Sequence, residues 1–237
     1  MRRGSAECDR DGPGRVLSFS GASYAVCSFN LAKDRVRTFW RGNDGNPYRT
    51  FDALAADLEA KGKSLRFAMN GGMYRGDLSP VGLYIEDGRM MVPPNTVTLT
   101  GAQSQIPNFY KKPNGVFYIG EGRAGILETG RFLAEKPEAN FATQSGPMLL
   151  INGKIHPAFI VNSTDRKPRD GVGLSSRNEI YFVITKSWVS FYEFAVFSVT
   201  ALAVAMRCFS TEGRRLDFTH RNSAATTGSL VTTFRGR

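Results

Sequence analysis

The chain has 237 residues, with 31 lysines and arginines against 21 aspartates and glutamates, and a formal net charge of +10. This length fits one domain with a full hydrophobic core. No run of roughly 18 apolar residues is present, which excludes a membrane-spanning helix. The positive charge is spread along the chain and forms no basic helix with interleaved aromatic residues, so we predict no nucleic-acid partner.

The N-terminal part of the chain shows both strand and helix patterns. Residues 1–14 are polar and contain glycine and proline, which predicts a disordered arm. Alternation of apolar and polar residues predicts strands at 23–29 and 35–40. Apolar residues at helical spacing predict a helix over 51–61, which ends at Gly62.

A glycine turn follows the apolar strand predicted at 65–69. Its sequence is Asn70-Gly71-Gly72-Met73-Tyr74. Adjacent glycines after a strand allow the backbone to approach either a ligand or another backbone closely. Asn70 and Tyr74 carry polar groups suited to a hydroxylated or anionic ligand, and such loops often carry function. A purely structural turn is the alternative, and the glycines alone leave it open.

The rest of the chain, up to residue 195, contains mainly short strands. They are predicted at 81–86, 90–92, 115–119, 125–128, 148–151, 154–155, 171–175 and 180–185. A second helix is predicted after Ser190, which forms a capping box with Glu193. The pattern predicts an α+β (mixed α/β) fold, a single domain on a twisted, strand-rich sheet with few helices.

The cysteines and histidines limit the kinds of site that the chain can form. The chain has Cys8, Cys27, Cys208, His156 and His220. They form no CxxC motif and no mixed cluster, so we predict no metal site and no cofactor. Cys8 and Cys27 flank a predicted hairpin and can pair in an oxidising compartment, or can remain separate thiols. The basic N-terminus is followed by no apolar segment, so no signal peptide is predicted.

Seven segments of the chain, in this order, resemble the phosphodiester glycosidase domain family, which is found in bacteria and in the catalytic domain of the uncovering enzyme. They are FAMNGGMY at 67–74, PVGLY at 80–84, NT at 95–96, NF at 108–109, PNGVF at 113–117, ATQSGPML at 142–149 and RDGVG at 169–173. The resemblance covers residues 15–195. It implies hydrolysis of a glycosyl phosphodiester, with release of a sugar and a phosphomonoester, and a glycan or sugar-phosphate as the substrate.

The implied reaction needs cations or N–H groups to hold the phosphate and a carboxylate to stabilise charge at the sugar C1 atom. We predict Asn70, Ser145 and Arg169 as catalytic residues, with Arg169 holding the phosphate. Predicted substrate-binding residues are Gly71, Gly72, Tyr74, Asn114, Gly146 and Arg166. Lys167 is an alternate for the phosphate, and Glu86 is one hypothesis for the carboxylate.

Some of the predicted site residues also have a structural interpretation. Arg169 can be an ordinary loop arginine, Asn114 a plain turn residue, and Tyr74 a packing residue. A carbohydrate- or polyanion-binding module without turnover is the alternative function. Members of the family carry secretion leaders, which implies a periplasmic or extracellular location.

The chain departs from the family pattern after Ala195. Residues 196–206 are apolar without a helical stripe, and 211–237 contain no predicted core strand. A reading shifted by one frame allows Ala-Leu-Phe-Leu-Asp-Gly from 206–212, and the resemblance implies a strand and turn of this kind that the chain lacks in its own frame. We therefore predict that 196–237 is an out-of-frame tail, that the domain is incomplete and that catalysis is impaired. A divergent natural C-terminus is the alternative.

Overall fold

The structure is a computed structural model that describes residues 14–102, 105–202, 209–212 and 230–236. Three α-helices lie among many short strands, so the predicted strand-rich α+β fold is confirmed. The helices are α1 (Phe51–Ala60), α2 (Thr129–Glu135) and α3 (Phe191–Thr200). The strands are β1 (Gly14–Phe19), β2 (Ala22–Asn30), β3 (Arg35–Phe39), β4 (Lys63–Asn70), β5 (Tyr84–Glu86), β6 (Arg89–Val92), β7 (Gly115–Gly120), β8 (Arg123–Glu128), β9 (Phe141–Ser145), β10 (Leu150–Ile151), β11 (Lys154–Ile155), β12 (Arg169–Leu174), β13 (Glu179–Thr185), β14 (Phe209–Glu212) and β15 (Leu230–Gly236).

The strands are shared among four sheets rather than one. The first sheet has the order β1-β2-β13-β12-β14, the second β6-β5-β9-β7-β8 and the third β3-β15-β4, while β10 and β11 form a hairpin. Every pairing between these strands is antiparallel. Because β3 and β4 both pair antiparallel with β15, they run parallel to each other. Their last residues, Phe39 and Asn70, both lie opposite Leu230.

One hydrophobic core joins the three larger sheets. Phe182 of the first sheet lies 5.3 Å from the ring of Phe67 in the third sheet and 6.2 Å from the ring of Phe117 in the second. All three side chains are buried in one cluster. Burial of such a ring stabilises a fold by about 2 kcal/mol, so the sheets form one packed domain.

The first sheet is covered on its other face by α3. Tyr24 of β2 stacks on Phe197 of α3 with 3.7 Å between ring centroids. The predicted capping box is confirmed, since Ser190 Oγ accepts a hydrogen bond from the Glu193 amide and Glu193 accepts one from the Ser190 amide. Strand alternation therefore sends the side chains of β12 in two directions, toward the common core or toward α3.

The helix predicted over 51–61 is confirmed as α1. Thr50 Oγ1 accepts a hydrogen bond from the Ala53 amide at 3.1 Å. Leu54 and Leu58 are buried, and Gly62, with φ +68°, follows the helix. The sequence missed β1, β9 and α2.

Two strands lie in the segment where no core strand was predicted. β14 pairs with β12, and β15 lies between β3 and β4. The prediction that 211–237 contains no core strand is therefore wrong for these segments. Apart from Gly14, which begins β1, the predicted arm 1–14 lies outside the described residues.

Two further findings concern the covalent structure and the helices. Cys27 is buried in β2 and is disulfide-bonded. Cys8 and Cys208 lie outside the described residues. Among the described residues, no helix is long and apolar enough to cross a membrane.

Candidate functional site

The glycine turn after β4 packs against the backbone of β9. A Cβ atom on Gly72 would lie 2.8 Å from Thr143 Oγ1 and 3.1 Å from the Gln144 carbonyl oxygen. A side chain at this position would therefore force the two segments apart. The glycines of this turn could allow close approach to a ligand or to another backbone, and Gly72 allows close approach to the backbone of β9. Gly71 is buried in the same turn.

Asn70 is the residue of this turn that the fold leaves uncommitted. Its side chain is 2% exposed. Its Oδ1 atom is buried and accepts no hydrogen bond from any residue that the structure describes. A buried acceptor without a donor costs about 1–3 kcal/mol, and native structures rarely contain one without a reason. Asn70 Oδ1 is thus placed to accept a hydrogen bond from a ligand.

Ser145 and Gly146 bring the end of β9 against Asn114. Ser145 is fully buried and lies opposite Gly115 in the pairing of β9 with β7. A Cβ atom on Gly146 would lie 2.7 Å from Asn114 Cβ and 3.0 Å from the Phe109 carbonyl oxygen. The sheet register and these contacts place Ser145, Gly146 and Asn114 together, next to the turn that carries Gly72.

Asn114 forms its hydrogen bonds within the fold. Its Nδ2 atom donates to the Phe109 carbonyl oxygen at 3.2 Å, and its Oδ1 atom accepts from Thr129 Oγ1 at 2.8 Å. Lys112 Nζ lies 3.4 Å from the same Oδ1 atom. These contacts give Asn114 a structural role, and its role in substrate binding stays a prediction.

Gln144 extends this buried network and fixes a loop above β9. Its Oε1 atom accepts hydrogen bonds from the amides of Leu83 and Asn95, both at 2.9 Å. Its Nε2 atom donates to the Asn95 carbonyl oxygen at 2.8 Å and to Thr129 Oγ1 at 3.2 Å. All four hydrogen bonds are internal, so this polar side chain supports the site without facing a ligand.

Arg169 lies at the start of β12 and is held by the protein around it. Its Nε atom donates to the Val189 carbonyl oxygen at 3.0 Å, and Nη2 donates to the Asp165 carbonyl oxygen at 3.1 Å. The guanidinium carbon lies 3.5 Å from the centroid of the Phe191 ring. The Arg169 side chain has no exposed surface. Its predicted contact with phosphate stays a prediction.

The neighbouring cations reach solvent. Arg166 is half-exposed, donates from Nε to the Trp188 carbonyl oxygen at 3.2 Å, and pairs with Glu193 at 2.5 Å. Lys167 is also half-exposed and pairs with Asp165 at 3.1 Å. Burial acts to raise the pKa of Asp165, but the charges of Lys167 and Arg169 outweigh it and lower that pKa. Both exposed cations can meet an anion that arrives from solvent.

A row of stacked rings connects the arginines with the Asn114 turn. Phe191, which contacts Arg169, stacks on Phe159 at 5.2 Å, and Phe159 stacks on His156 at 4.9 Å. His156 Nε2 lies 3.0 Å from the Lys112 carbonyl oxygen, two residues before Asn114. The structure thus gathers Asn70, Gly71, Gly72, Asn114, Ser145 and Gly146 in one group and Arg166 with Arg169 in a second group, joined by this row.

Tyr74 and Glu86 are placed apart from these contacts. Tyr74 forms an isolated bridge with Pro80. Ile85 lies opposite Ala142 of β9, so Glu86 lies about 13 Å along the strands from Ser145. Burial raises the pKa of Glu86, while the Tyr84 hydroxyl donates to it at 2.7 Å. This position does not favour Glu86 as the carboxylate of the site.

Asp170 is a buried carboxylate that the sequence analysis overlooked. It is fully buried and lies opposite Ile184 in the first sheet. Ile184 belongs to the common core, so Asp170 projects toward the second and third sheets, which carry Ser145 and Asn70. The RDGVG segment that carries the family resemblance contains this aspartate directly after Arg169. Among the described residues, no three His, Cys, Asp or Glu side chains are grouped to hold a metal ion.

The comparisons with known proteins place the chain in a known family. The family model "Phosphodiester glycosidase" matches residues 63–205, and the chain belongs to this family. It is 37% identical over 189 residues to the uncharacterized protein YigE of Escherichia coli strain K12. The aligned residues cover 80% of this chain and 71% of that protein. The family resemblance inferred from the sequence is therefore confirmed.

Two solved structures share the fold. One is the catalytic domain of zebrafish N-acetylglucosamine-1-phosphodiester alpha-N-acetylglucosaminidase, auto-inhibited by its pro-peptide, with a TM-score of 0.59 and 13% identity, covering 98% of this chain and 87% of that chain. The other is a hypothetical protein from Synechocystis, with a TM-score of 0.54 and 11% identity, covering 93% of this chain and 61% of that chain. At these identities, the likeness concerns the fold.

Proposed function

We propose that this protein hydrolyses glycosyl phosphodiesters, cleaving the bond between the sugar C1 atom and the phosphate oxygen. The products are a free sugar and a phosphomonoester. Family membership supports the reaction class. The observation that carries the assignment to this site is the buried, uncommitted Oδ1 atom of Asn70, which can accept a hydrogen bond from a sugar hydroxyl.

The leaving group sets the demands on the site. A phosphomonoester has a second pKa of about 6, so it departs without full protonation. Cations near the phosphate stabilise the charge that develops on it. Arg166 of the second group and the neighbouring Lys167 are half-exposed cations, and the buried Arg169 adds a third positive charge.

Positive charge at the sugar C1 atom needs a carboxylate. We propose Asp170 for this role, because it is buried and projects toward the sheets that carry Asn70 and Ser145. A carboxylate can stabilise an oxocarbenium-like transition state or attack C1 directly. Replacement of Asp170 by Asn should lower kcat by at least about 100-fold with little change in KM.

The test of the function compares two variants on a p-nitrophenyl glycosyl phosphate. Asn70→Ala should lower kcat/KM about 100-fold, since it removes the acceptor. Its melting temperature should be unchanged or higher, because an unsatisfied buried oxygen is lost. Gly76→Ala is the control, since a Cβ atom there meets nothing within 4 Å. Hydrolysis in ¹⁸O-labelled water should place the label on the sugar.

Other results would contradict the proposal. Label on the phosphate would show cleavage of the phosphorus–oxygen bond instead. An Asn70→Ala variant that keeps full activity, or that loses stability, would make Asn70 a structural residue. Binding of the substrate without turnover in both the parent chain and a frame-restored form would favour the binding module.

We also propose that residues 196–237 are encoded out of frame and that this impairs catalysis. The family match ends at residue 205, inside the segment where the composition changes. The shifted frame places Leu-Asp-Gly at codons 209–212, and β14 runs there beside Arg169 and Asp170. A frame-restored protein should be at least tenfold more active than this chain. Equal activities, or a coding sequence without an insertion or deletion relative to close relatives, would refute the proposal.

A periplasmic or extracellular location is proposed as well, and the disulfide at Cys27 supports it. Cys8 is the partner that we propose for Cys27, because this pairing fits an oxidising compartment. Peptide mapping without reductant should recover a Cys8–Cys27 peptide and a free Cys208 thiol, and a Cys27–Cys208 peptide would contradict this.

A further inference from the structure

We infer that an exposed edge beside the second group of residues binds negatively charged carbohydrate. This anionic-sugar edge consists of the Trp188 indole with the side chains of Arg166 and Lys167. The indole would stack on a sugar ring, and the two cations would bind a phosphate or carboxylate on that ring. The inference rests on the proposed function in one respect, since Arg166 and Lys167 are also the cations proposed there for the phosphate; what it adds is the Trp188 indole as a binding surface for the sugar ring.

The Trp188 indole is presented to solvent from a rigid loop. Trp188 is 67% exposed. The residues around it are fixed, since the Lys186 amide donates to the Ser23 carbonyl oxygen at 2.8 Å, and Val189 and Lys167 exchange two backbone hydrogen bonds of 3.1 Å. A large apolar ring on such a frame loses little conformational entropy when a ligand binds.

The second tryptophan of the chain shows the contrast. Trp40 is 6% exposed, and its indole nitrogen donates to the Leu78 carbonyl oxygen at 3.0 Å. The fold thus buries and bonds one indole while it leaves the other open beside cations. Because the two rings differ so strongly in exposure, the fluorescence that a soluble quencher can reach reports on Trp188.

Arg166 is fixed beside the backbone of Trp188, because its Nε atom donates to the Trp188 carbonyl oxygen. Arg166 also pairs with Glu193, and Lys167 pairs with Asp165, so an anion would share these cations with the two carboxylates. Segments 163–169 and 186–193 contain four lysines and arginines against two acidic residues. The edge therefore has an excess of positive charge and attracts an anion.

The arrangement favours a sugar over a nucleic acid. A single-stranded nucleic acid binds along a series of aromatic rings and a continuous track of cations. Here one exposed indole lies beside a compact set of charges, which matches one ring that carries one anionic group. Tryptophan offers a broad apolar face for such a ring. Preference for an oligonucleotide is therefore an outcome that would overturn the inference.

The first experiment follows quenching of tryptophan fluorescence by acrylamide in the full chain. Four probes are added at millimolar concentration: glucose 1-phosphate, methyl glucoside, inorganic phosphate and a ten-residue dT oligonucleotide. Glucose 1-phosphate should protect Trp188, and methyl glucoside and phosphate should each bind about tenfold more weakly, because each offers half of the contacts. In a Trp188→Phe variant the remaining fluorescence should not respond.

The second experiment measures glucose 1-phosphate affinity by calorimetry in matched variants. Trp188→Ala and Arg166→Gln should each weaken binding about tenfold, whereas Trp188→Phe should stay within about threefold of the parent. Arg89→Gln removes an exposed charge on β6 of another sheet and should change nothing. Parent-like affinity of Trp188→Ala, tighter binding of the oligonucleotide, or binding of no probe would each overturn the inference. Loss of hydrolysis with binding intact would count only against the proposed function.

Discussion

The two groups of polar residues around the candidate site are built in different ways. Around Gly72 and Asn114, backbones approach closely, and a buried amide network satisfies every member named above except Asn70 Oδ1. Around Arg169, a guanidinium is bound by carbonyl oxygens and a ring, while Arg166 reaches solvent. Residue type alone does not distinguish a residue that supports the fold from a residue that binds a ligand. The group that the fold leaves uncommitted is the better indication of a ligand.

The largest expected effect concerns the amide network. Gln144→Ala should destabilise the fold by about 4 kcal/mol, because it creates a cavity and leaves the Leu83 and Asn95 amides without an acceptor. Urea unfolding measures this difference. Gln144→Glu places a second carboxylate oxygen against the Asn95 carbonyl oxygen, so it should not recover the loss. A loss below about 1 kcal/mol for Gln144→Ala would mean that the network contributes little.

Replacement of Arg169 tests the second group in the same way. Arg169→Met should lower the free energy of unfolding by about 3 kcal/mol, because the Asp165 and Val189 carbonyl oxygens lose a charged donor and Phe191 loses its cation. Arg169→Lys keeps the charge but not the paired donors, so it should recover less than half of the loss. Full stability of the Met variant would show that Arg169 is not a structural residue, and would strengthen its predicted role toward phosphate.

A smaller effect is expected at the glycine turn. Gly72→Ala should cost about 2 kcal/mol, since its Cβ atom would overlap Thr143 Oγ1 and approach the Gln144 carbonyl oxygen. The same substitution at Gly76 should be neutral. Thermal unfolding of both variants compares them directly. Equal melting temperatures would mean that the turn relaxes without cost.

The smallest effect is a pH dependence in the row of rings that joins the two groups. Burial lowers the pKa of His156, whose Nδ1 atom accepts a hydrogen bond from the Ala158 amide at 3.0 Å. The unfolded chain therefore binds more protons near pH 6, and stability falls as the pH drops through about 6.5. His156→Gln should lack this part of the decline. Parallel curves for both proteins in urea unfolding across this range would contradict it.

The sequence predicted the elements whose signals are local. The helix over 51–61, the capping box of Ser190 with Glu193, and the strands at 148–151 and 154–155 each depend on a few neighbouring residues. The structure contains α1, the capping box and the pair of β10 with β11. β9, β14 and β15 were missed. Each of these strands is defined by pairing with a distant strand, and such pairing leaves little local trace.

The residues of the candidate site likewise fall into those that sequence motifs predicted and those that only the sheet structure shows. Order and spacing of the motifs predicted the family, and the structure brings most of the predicted residues into two connected groups. Asp170 was overlooked because its importance depends on which face of β12 it occupies, and strand alternation decides this only once the sheet is known. Trp188 was overlooked because an exposed tryptophan and a buried one look alike in a sequence.

By itself, the sequence determined the family, the strand-rich α+β class and the residue types available for sugar-phosphate chemistry. Only the tertiary structure decided that Gly72 meets β9, that Gln144 and Asn114 serve the fold, and that Asn70 Oδ1 has no donor in the part of the chain that the structure describes. The physical reason is that hydrogen-bond satisfaction and burial are properties of contacts between distant segments. A sequence names the groups that can form these contacts, and folding decides which groups do so.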